Sequence, residues 1–227
     1  MRWGMVIDLD KCTACQSCAV ACKTENNVPF ATPEQSERGH TIFWMDILTR
    51  VWGEYPRTKA RFIPRPCMQC DSPPCVQVCP VGATYRRPDG IVAQNYDRCI
   101  GCKYCMVACP YGARSFNMGR PEEPETFRNY ANPDGRVARR RVGIVEKCTF
   151  CFQRVDTAVA RARAEGRPIK DGEVRTACAQ TCTGGAIAFG DLDDPMSRVA
   201  RLAESPRAFR LLDELGTKPK VLYLMEG

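Results

Sequence analysis

Three short apolar stretches of the chain each lead into a cysteine. They are RWGMVIDLDKC (residues 2–12), IVAQNYDRC (91–99) and RVGIVEKC (141–148), and their apolar positions favour β-structure. Such runs predict short strands that feed loops beginning at the cysteines. Beyond two of these loops, AVACKTENN (19–27) and MVACPYG (106–112) predict single helical turns. The pattern therefore predicts small units of strand, loop and helical turn.

The second half of the chain has longer helical patterns. In FQRVDTAVARARAEGRP (152–168), apolar residues recur at helical spacing until a glycine and a proline end the pattern. In the tail, one helix is predicted to begin at the Asp-Pro pair 194–195, and a second to run over 206–215 and end at a glycine. KVLYL (220–224) predicts a last strand. Residues 119–141 are rich in Pro, Gly and charge without periodicity, and they predict an extended loop.

Cysteine is the unusual residue type of this chain. Sixteen of the 227 residues are cysteine, and all of them fall into four groups of four. Cysteines three residues apart would close only trivial disulfide loops, and the sequence begins without a secretory signal, so we expect no disulfide framework. The groups are Cys12, Cys15, Cys18 and Cys22; Cys67, Cys70, Cys75 and Cys79; Cys99, Cys102, Cys105 and Cys109; and Cys148, Cys151, Cys178 and Cys182.

The first and third groups share the spacing CxxCxxCxxxC. In bacterial ferredoxins, three cysteines of such a run bind one cubic iron-sulfur cluster and the fourth binds the other cluster of a pair. The backbone must wrap closely around the cube, which small residues such as Ala14, Gly101 and Ala108 permit. Zinc is the main alternative, but structural zinc sites use two separated CxxC knuckles, and four cysteines this close would crowd one tetrahedral ion. The tight groups therefore predict iron-sulfur clusters.

The second and fourth groups are variants of this pattern. The second has a longer gap, DSPP, after its second cysteine, and the fourth separates its two halves by residues 152–177. Read alone, the fourth group could be a zinc ribbon. Because each paired cluster takes one ligand from its partner's group, three complete groups would leave one pair half built, and the fourth group completes it. The spacing leaves open which groups form pairs.

Charge and the other residue types exclude several functions. The formal net charge of +7 and the basic run 136–147 could indicate nucleic acid, but four clusters with their thiolates would add about −8 and bring the chain near neutrality. No apolar stretch approaches the about eighteen residues of a membrane span. The single histidine, His40, excludes a Rieske cluster, and no CxxC is followed by histidine as c-type haem requires. Without a catalytic triad or a phosphate loop, we expect no catalytic site, no nucleic-acid partner and no direct membrane span.

With all four groups placed, the chain resembles the iron-sulfur, electron-transfer subunits of the dimethyl sulfoxide reductase-type molybdopterin oxidoreductases. Members of that family include polysulfide, thiosulfate, tetrathionate and arsenate reductases, sulfite dehydrogenases and the ferredoxin domain of alternative complex III. The resemblance covers nearly the whole chain and rests on MVIDLDKCTACQSC, RPCMQCDSPPCVQVCPVGATY, CTFC and GTKPKVLYL. Thr183 departs from the pattern, since relatives usually have proline after the last cysteine.

The resemblance implies four 4Fe-4S clusters. In that family the second and third groups form an inner ferredoxin, which is inserted between the two halves of an outer ferredoxin built from the first and fourth. The implied ligands are Cys12, Cys15, Cys18 and Cys182 for cluster 1; Cys22, Cys148, Cys151 and Cys178 for cluster 2; Cys67, Cys70, Cys75 and Cys109 for cluster 3; and Cys79, Cys99, Cys102 and Cys105 for cluster 4.

The expected fold is therefore α+β, a duplicated bacterial-type 2x4Fe-4S ferredoxin with long inserted loops and a C-terminal helical tail. The expected boundaries are residues 1–60 with 142–190 for the discontinuous outer domain, 61–118 for the inner domain, 119–141 for the extended loop, and 191–227 for the C-terminal helices and strand.

By this resemblance, the chain is expected to relay electrons between a molybdopterin (Mo/W) catalytic subunit and a quinone-binding integral-membrane subunit of a respiratory complex. It would then be membrane-associated through its partners, on a side of the membrane that the sequence does not fix. The alternative is a soluble polyferredoxin or a hydrogenase-associated electron carrier. The long segments 23–66 and 119–147 favour a docked subunit, because a minimal carrier would not need them.

Overall fold

A computed structural model describes residues 1–118, 132, 134, 136–137 and 140–226 of the chain. The strands are β1 (Trp3–Asp8), β2 (Asp46–Trp52), β3 (Lys59–Arg65), β4 (Thr84–Arg86), β5 (Val92–Gln94), β6 (Ser115–Phe116), β7 (Val145–Glu146), β8 (Ile187–Asp191), β9 (Ala208–Phe209) and β10 (Val221–Leu224). The helices are α1 (Ser17–Glu25), α2 (Pro33–Glu37), α3 (Pro74–Gln77), α4 (Tyr104–Val107), α5 (Phe152–Ala164), α6 (Ala177–Gln180) and α7 (Arg198–Ala203). Short 3-10 turns lie at Leu9–Lys11 and Asp213–Leu215.

Distant parts of the chain meet in a four-stranded sheet with the strand order β8-β1-β10-β9. β1 and β10 are parallel neighbours, with Met5 opposite Val221, and every residue of both strands is buried. β8 and β9 pair antiparallel with them at the two edges. Central strands covered on both faces need continuous apolar runs, which is the pattern of WGMVID and VLYL.

An aromatic cluster joins this sheet to the cysteine loops. The Trp3 ring stacks on Phe189 with centroids 5.4 Å apart, and Phe150 packs its ring edge-on to Phe189 at 5.2 Å. Phe150 lies within the fourth cysteine group, and Cys18 and Cys178 belong to the same buried core. The hydrophobic core therefore continues directly into the cysteines.

The rest of the β-structure in the described residues consists of the two-stranded ribbons β2–β3, β4–β5 and β6–β7. The β2–β3 hairpin is the longest, in register from Asp46 with Arg65 to Trp52 with Lys59, and its outer half is exposed. In the last ribbon, Phe116 pairs with Val145, so β6 and β7 bring together two parts of the chain that are about thirty residues apart in sequence.

Several sequence predictions are confirmed. The three apolar stretches that lead into cysteines form β1, β5 and β7, and KVLYL supplies β10. The helical pattern after Cys151 forms α5, whose Val155 is fully buried. The single turn predicted in MVACPYG (106–112) is present but begins two residues earlier and ends before Cys109, as the four-residue helix α4.

Other predictions need correction. The segment after Cys18 is not a single turn, because α1 continues for nine residues. The first tail helix begins at Arg198 rather than at the Asp-Pro pair, since the Ser197 hydroxyl accepts from the Ala200 N–H and caps α7. The predicted second tail helix is wrong.

In place of that helix, the tail forms strand β9 and a 3-10 turn. Phe209 pairs with Tyr223 of β10, and the two rings pack with centroids 5.8 Å apart. Leu212 is left-handed, with φ 51°, and no helix continues through such a residue. The C-terminal helical tail thus contains one α-helix. The predicted extended loop at 119–141 lies largely outside the described residues.

Candidate iron-sulfur cluster sites

The structure brings the sixteen cysteines together as four quartets, and each quartet combines cysteines from two groups. Cys18 is surrounded by the other three thiols of quartet 1, and Cys22 by those of quartet 2. Quartets 3 and 4 each line one cavity. Quartet 1 is Cys12, Cys15, Cys18 and Cys182; quartet 2 is Cys22, Cys148, Cys151 and Cys178; quartet 3 is Cys67, Cys70, Cys75 and Cys109; quartet 4 is Cys79, Cys99, Cys102 and Cys105.

The four loops that carry the first two cysteines of each group share one backbone turn. The residue before the second cysteine has a left-handed φ in every group, at Ala14, Gln69, Gly101 and Phe150. Glycine is required only at Gly101, where an added Cβ would lie 2.1 Å from the Gly143 carbonyl oxygen. Such turns bend the chain around a central volume, so that successive thiols converge.

Burial makes the quartets unfavourable for four free thiolates. Burial, followed by the Cys12 and Cys182 thiols, raises the pKa of Cys18 to about 11. Burial and then Cys67 raise the pKa of both Cys70 and Cys148 to about 12. Bound iron would offset this cost of burial, because coordination to a positively charged metal favours the deprotonated thiolate. The donor set therefore fits an iron-sulfur cluster in each quartet.

None of the sixteen cysteines forms a disulfide. Among the described residues, which include every cysteine, no three potential ligands converge on a point that could hold one metal ion. The sulfur atoms of quartets 3 and 4 instead surround a cavity.

The last cysteine of the second and fourth groups is followed by a turn that returns a backbone N–H to its sulfur. The Ala83 N–H donates to Cys79 Sγ at 3.2 Å, and the Ala186 N–H donates to Cys182 Sγ at the same distance. Such N–H···S bonds stabilise the thiolate form and help to set the potential of a bound cluster. The turn after Cys182 is the same as the turn after Cys79, so Thr183 forms the turn that Pro80 forms in the second group.

The first group ends differently because α1 continues past Cys22. There the Asn26 N–H bonds to the Cys22 carbonyl within the helical pattern. Its side-chain amide instead approaches two sulfur atoms, Cys22 Sγ at 3.7 Å and Cys151 Sγ at 3.9 Å. A neutral side-chain donor thus replaces the backbone donor found after Cys79 and Cys182.

In each pair of consecutive quartets, a thiol of one quartet influences the pKa of a cysteine in the other. Cys18 of quartet 1 acts on the pKa of Cys178 in quartet 2, and Cys67 of quartet 3 acts on that of Cys148 in quartet 2. Cys75 of quartet 3 likewise raises the pKa of Cys105 in quartet 4, after burial and against the lowering effect of a nearby arginine. The order is therefore 1-2-3-4.

Solvent access differs along this row. All four cysteines of quartet 2 are buried, and so are three of quartet 3. Each end quartet has one exposed cysteine, Cys15 in quartet 1 and Cys102 in quartet 4. The Cys15 sulfur lies 3.4 Å from the Ser17 hydroxyl and 3.3 Å from the Thr183 hydroxyl, and these hydrogen bonds lower the pKa of Cys15 to about 6.

A buried glutamine links the two central quartets. Gln69 has no exposed surface, donates from Nε2 to the Cys148 carbonyl at 2.7 Å, and accepts from the Val92 N–H at 2.8 Å. The sequence did not single out Gln69, Asn26 or Arg114, because polar residues beside cysteines give no signal of their burial. The one available clue is position, since each lies in or just after a cysteine motif.

The described arginines of the basic run 136–147 are paired within the chain. Arg140 contacts the buried Glu146 at 3.0 Å, and Arg141 contacts Asp97 at 2.6 Å. Burial raises the pKa of Glu146 to about 7, against the opposing charge of Arg140. Pairing of this kind leaves less free charge than the sequence count suggests.

Comparison with known proteins identifies the class. Models described as "4Fe-4S dicluster domain" match residues 11–83, 58–122 and 91–183. The chain is 48% identical to the menaquinone reductase iron-sulfur cluster-binding subunit of Nitratidesulfovibrio vulgaris, over 99% of this chain and 89% of that protein. It is 41% identical to a selenate reductase subunit of Mesobacillus selenatarsenatis (99% and 72%) and 39% identical to an Hdr-like menaquinol oxidoreductase iron-sulfur subunit of Archaeoglobus fulgidus (100% and 84%).

The chain belongs to the family of iron-sulfur subunits of dimethyl sulfoxide reductase-type oxidoreductases. It is an electron-transfer subunit of an oxidoreductase complex, and its ferredoxin-type domains bind iron-sulfur clusters. Within the described part of the chain, no helix has the length and apolar character needed to cross a membrane. A subunit of this class has no catalytic site of its own, which agrees with the expectation from the sequence.

Proposed function

We propose that each quartet holds one 4Fe-4S cluster, so that the chain carries four clusters in a row. The observation that carries this proposal is the order 1-2-3-4 of quartets, with buried members in the middle and one exposed cysteine at each end. When bound, such clusters exchange single electrons with their neighbours. The chain's part is to hold the sites in sequence and to exclude water from the two central ones.

The chain would relay electrons between a molybdopterin (Mo/W) catalytic subunit and a quinone-binding membrane subunit. The two exposed ends of the row suit two partners. Around Cys102, Ile100 is 65% exposed and Val107 82% exposed, and beside Cys15, Val20 is 54% exposed. Apolar side chains next to the exposed cysteines are surfaces that a docked subunit would cover. Association with a membrane would then come through the partner.

The fold would be a duplicated ferredoxin, with quartets 1 and 2 in an outer half and quartets 3 and 4 in an inner half. Two observations support the duplication. The left-handed turn recurs in all four groups, and the amide-to-sulfur bond at Cys79 recurs at Cys182. The outer half would comprise residues 1–60 and 142–190, and the inner half residues 61–118.

A soluble polyferredoxin is the competing function. It accounts equally well for the quartets, but it gives no role to the exposed β2–β3 hairpin or to the apolar residues at the ends of the row. The relatives are described as subunits of reductases or oxidoreductases rather than as free carriers.

The first experiment is metal analysis of the anaerobically purified complex. We expect about sixteen iron atoms and as many acid-labile sulfides per chain, and low-temperature EPR that is nearly silent when oxidised and shows coupled signals when reduced. Stoichiometric zinc with little iron would overturn the assignment.

A tag on this chain tests the partners. Purified from detergent-solubilised membranes, the chain should bring down a subunit containing molybdenum or tungsten and an integral-membrane subunit. Recovery of the iron-loaded chain alone, in the soluble fraction, would favour the polyferredoxin.

A further inference from the structure

A buried arginine lies between quartets 3 and 4. Arg114 follows the turn after Cys109 and has only 5% of its surface exposed. Its Nη1 donates at 3.3 Å to each of three acceptors, Thr84 Oγ1, Gln94 Oε1 and Cys105 Sγ. The guanidinium therefore contacts a sulfur of quartet 4 directly.

The surroundings of Arg114 supply no carboxylate among the contacts that the structure describes. The ionisable groups that face it are cysteines. Burial lowers the pKa of Arg114, but Cys75, Cys105 and Cys67 together raise it by more. Its Nε and Nη2 atoms are buried and have no hydrogen-bond acceptor among the described residues. A buried guanidinium without a counter-charge is costly, so its partners must be the negative charges of the two neighbouring quartets.

We propose that Arg114 sets the reduction potentials of the clusters held by quartets 3 and 4. This inference rests on the proposed function. Reduction adds one negative charge to the site, and a fixed positive charge at hydrogen-bond distance stabilises the reduced state. Its Nη1 also donates to Cys105 Sγ, which acts in the same direction. Through its fixed positive charge, Arg114 thus raises the reduction potentials of the clusters in quartets 3 and 4.

The outer pair has no cation of this kind among the described contacts. The side chains that hydrogen-bond to its sulfur atoms are neutral, namely the amide of Asn26 and the hydroxyls of Ser17, Thr176 and Thr183. Lys23 and Lys147 are buried nearby, but Lys23 donates to the carbonyls of Pro29 and Ile42, and Lys147 donates to the Val92 and Cys148 carbonyls. Neither ammonium group donates a hydrogen bond to a sulfur within the described part of the chain, whereas Arg114 does.

The test is an EPR-monitored redox titration of the purified complex carrying Arg114→Gln. We expect the equilibrium constant for reduction at quartet 4 to fall about tenfold, which is about 59 mV for one electron, and quartet 3 to shift less in the same direction. Quartets 1 and 2 should keep their potentials. The end signals are assigned with Cys102→Ser for quartet 4 and Cys15→Ser for quartet 1.

Three further variants separate charge from packing. Arg114→Lys keeps the charge and should stay close to the parent. Gln94→Glu keeps the acceptor for Nη1 but supplies a counter-charge, so it should lower the potential even with Arg114 in place. Arg167→Gln removes an arginine whose partners are the carboxylates of Glu165 and Glu173, and it should shift no cluster.

Unchanged potentials in both Arg114→Gln and Gln94→Glu would overturn the proposal, as would an equal shift of all four clusters. If the Arg114→Gln variant loses iron, the potentials of the Gln94→Glu variant test the proposal in its place. An iron content well below sixteen in the parent complex would instead contradict the proposed function itself, so the two failures are distinguishable.

Discussion

The two pairs of quartets are supported by very different amounts of ordinary protein structure. Quartets 1 and 2 border the four-stranded sheet, and four of their cysteines, Cys18, Cys22, Cys148 and Cys178, are part of the main hydrophobic core, which also takes in Cys67 and Cys70 of quartet 3. The rest of the inner pair lies among three-residue strands and single-turn helices, where Cys75 and Cys105 belong to a small apolar cluster with Val92 and Val145.

The difference shows that one loop geometry can be stabilised in two ways. Around quartets 1 and 2, the aromatic packing of Trp3, Phe150 and Phe189 supports the cysteine loops, so we expect them to depend less on bound metal. Around quartet 4 and the outer side of quartet 3, a two-stranded ribbon this short is at most marginally stable alone, so we expect bound metal to supply much of the folding free energy there.

Iron removal should therefore give the largest contrast between the two pairs. In the iron-depleted chain, we expect amides of β4 and β5 to exchange with solvent almost as in an unfolded chain, while those of β1 and β10 stay protected by about a hundredfold or more. Hydrogen exchange with mass spectrometry measures both. Equal protection of the two regions would show that the inner pair depends on metal no more than the outer pair does.

Phe189→Ala should destabilise the outer pair, quartets 1 and 2. It removes the ring between Trp3 and Phe150, and loss of a buried Phe costs about 3–5 kcal/mol. We expect a lower urea midpoint and loss of the EPR signals of quartets 1 and 2 before those of quartets 3 and 4. Met196→Ala, at a residue 72% exposed and away from the exposed cysteines, is the control and should change neither.

Gln69→Leu tests the junction between the pairs. The Cys148 carbonyl keeps Lys147 as a donor, but the Val92 N–H loses its acceptor, which costs about 1–3 kcal/mol. Urea unfolding measures this loss, and Gln77→Leu at an exposed glutamine serves as the control. A free energy of unfolding equal to the parent's would show that the two pairs are not coupled through Gln69.

Thr183→Val should have the smallest effect. It removes the hydroxyl that lies 3.3 Å from Cys15 Sγ and keeps the shape of the side chain. Losing one hydrogen bond at an exposed sulfur should lower the reduction potential of quartet 1 slightly, with a change of about twofold to threefold in the equilibrium constant. Redox titration of the Cys15-assigned signal measures it, and a rise in potential would contradict the assignment of Thr183 as a donor.

The sequence was most informative where chemistry restricts residue type and spacing. The cysteine spacing predicted loops around cubic clusters, and all four groups share the required turn. The apolar period after Cys151 predicted α5, because one continuous face of that helix is buried.

Prediction failed where tertiary contacts outweigh local preference. The residues around Phe209 read as a helix, yet Phe209 pairs with Tyr223 from the other side of a turn. The β2–β3 hairpin was missed, since its strands are largely exposed and lack a clear alternation of apolar and polar residues. Arg114 was missed because most arginines are exposed, and only the fold shows that this one is enclosed by thiols.

The spans of the quartets along the chain also bear on biosynthesis. Every cysteine of quartets 3 and 4 lies between residues 67 and 109, whereas quartet 1 joins Cys12 to Cys182. On the ribosome, the ligands of the inner pair are all present before half of the chain has been made. Those of quartet 1 must wait for Cys182, and β1 must wait for β10 at Val221–Leu224. Cluster insertion can thus begin in the middle of the molecule, and the first cysteines to be synthesised are among the last to be enclosed.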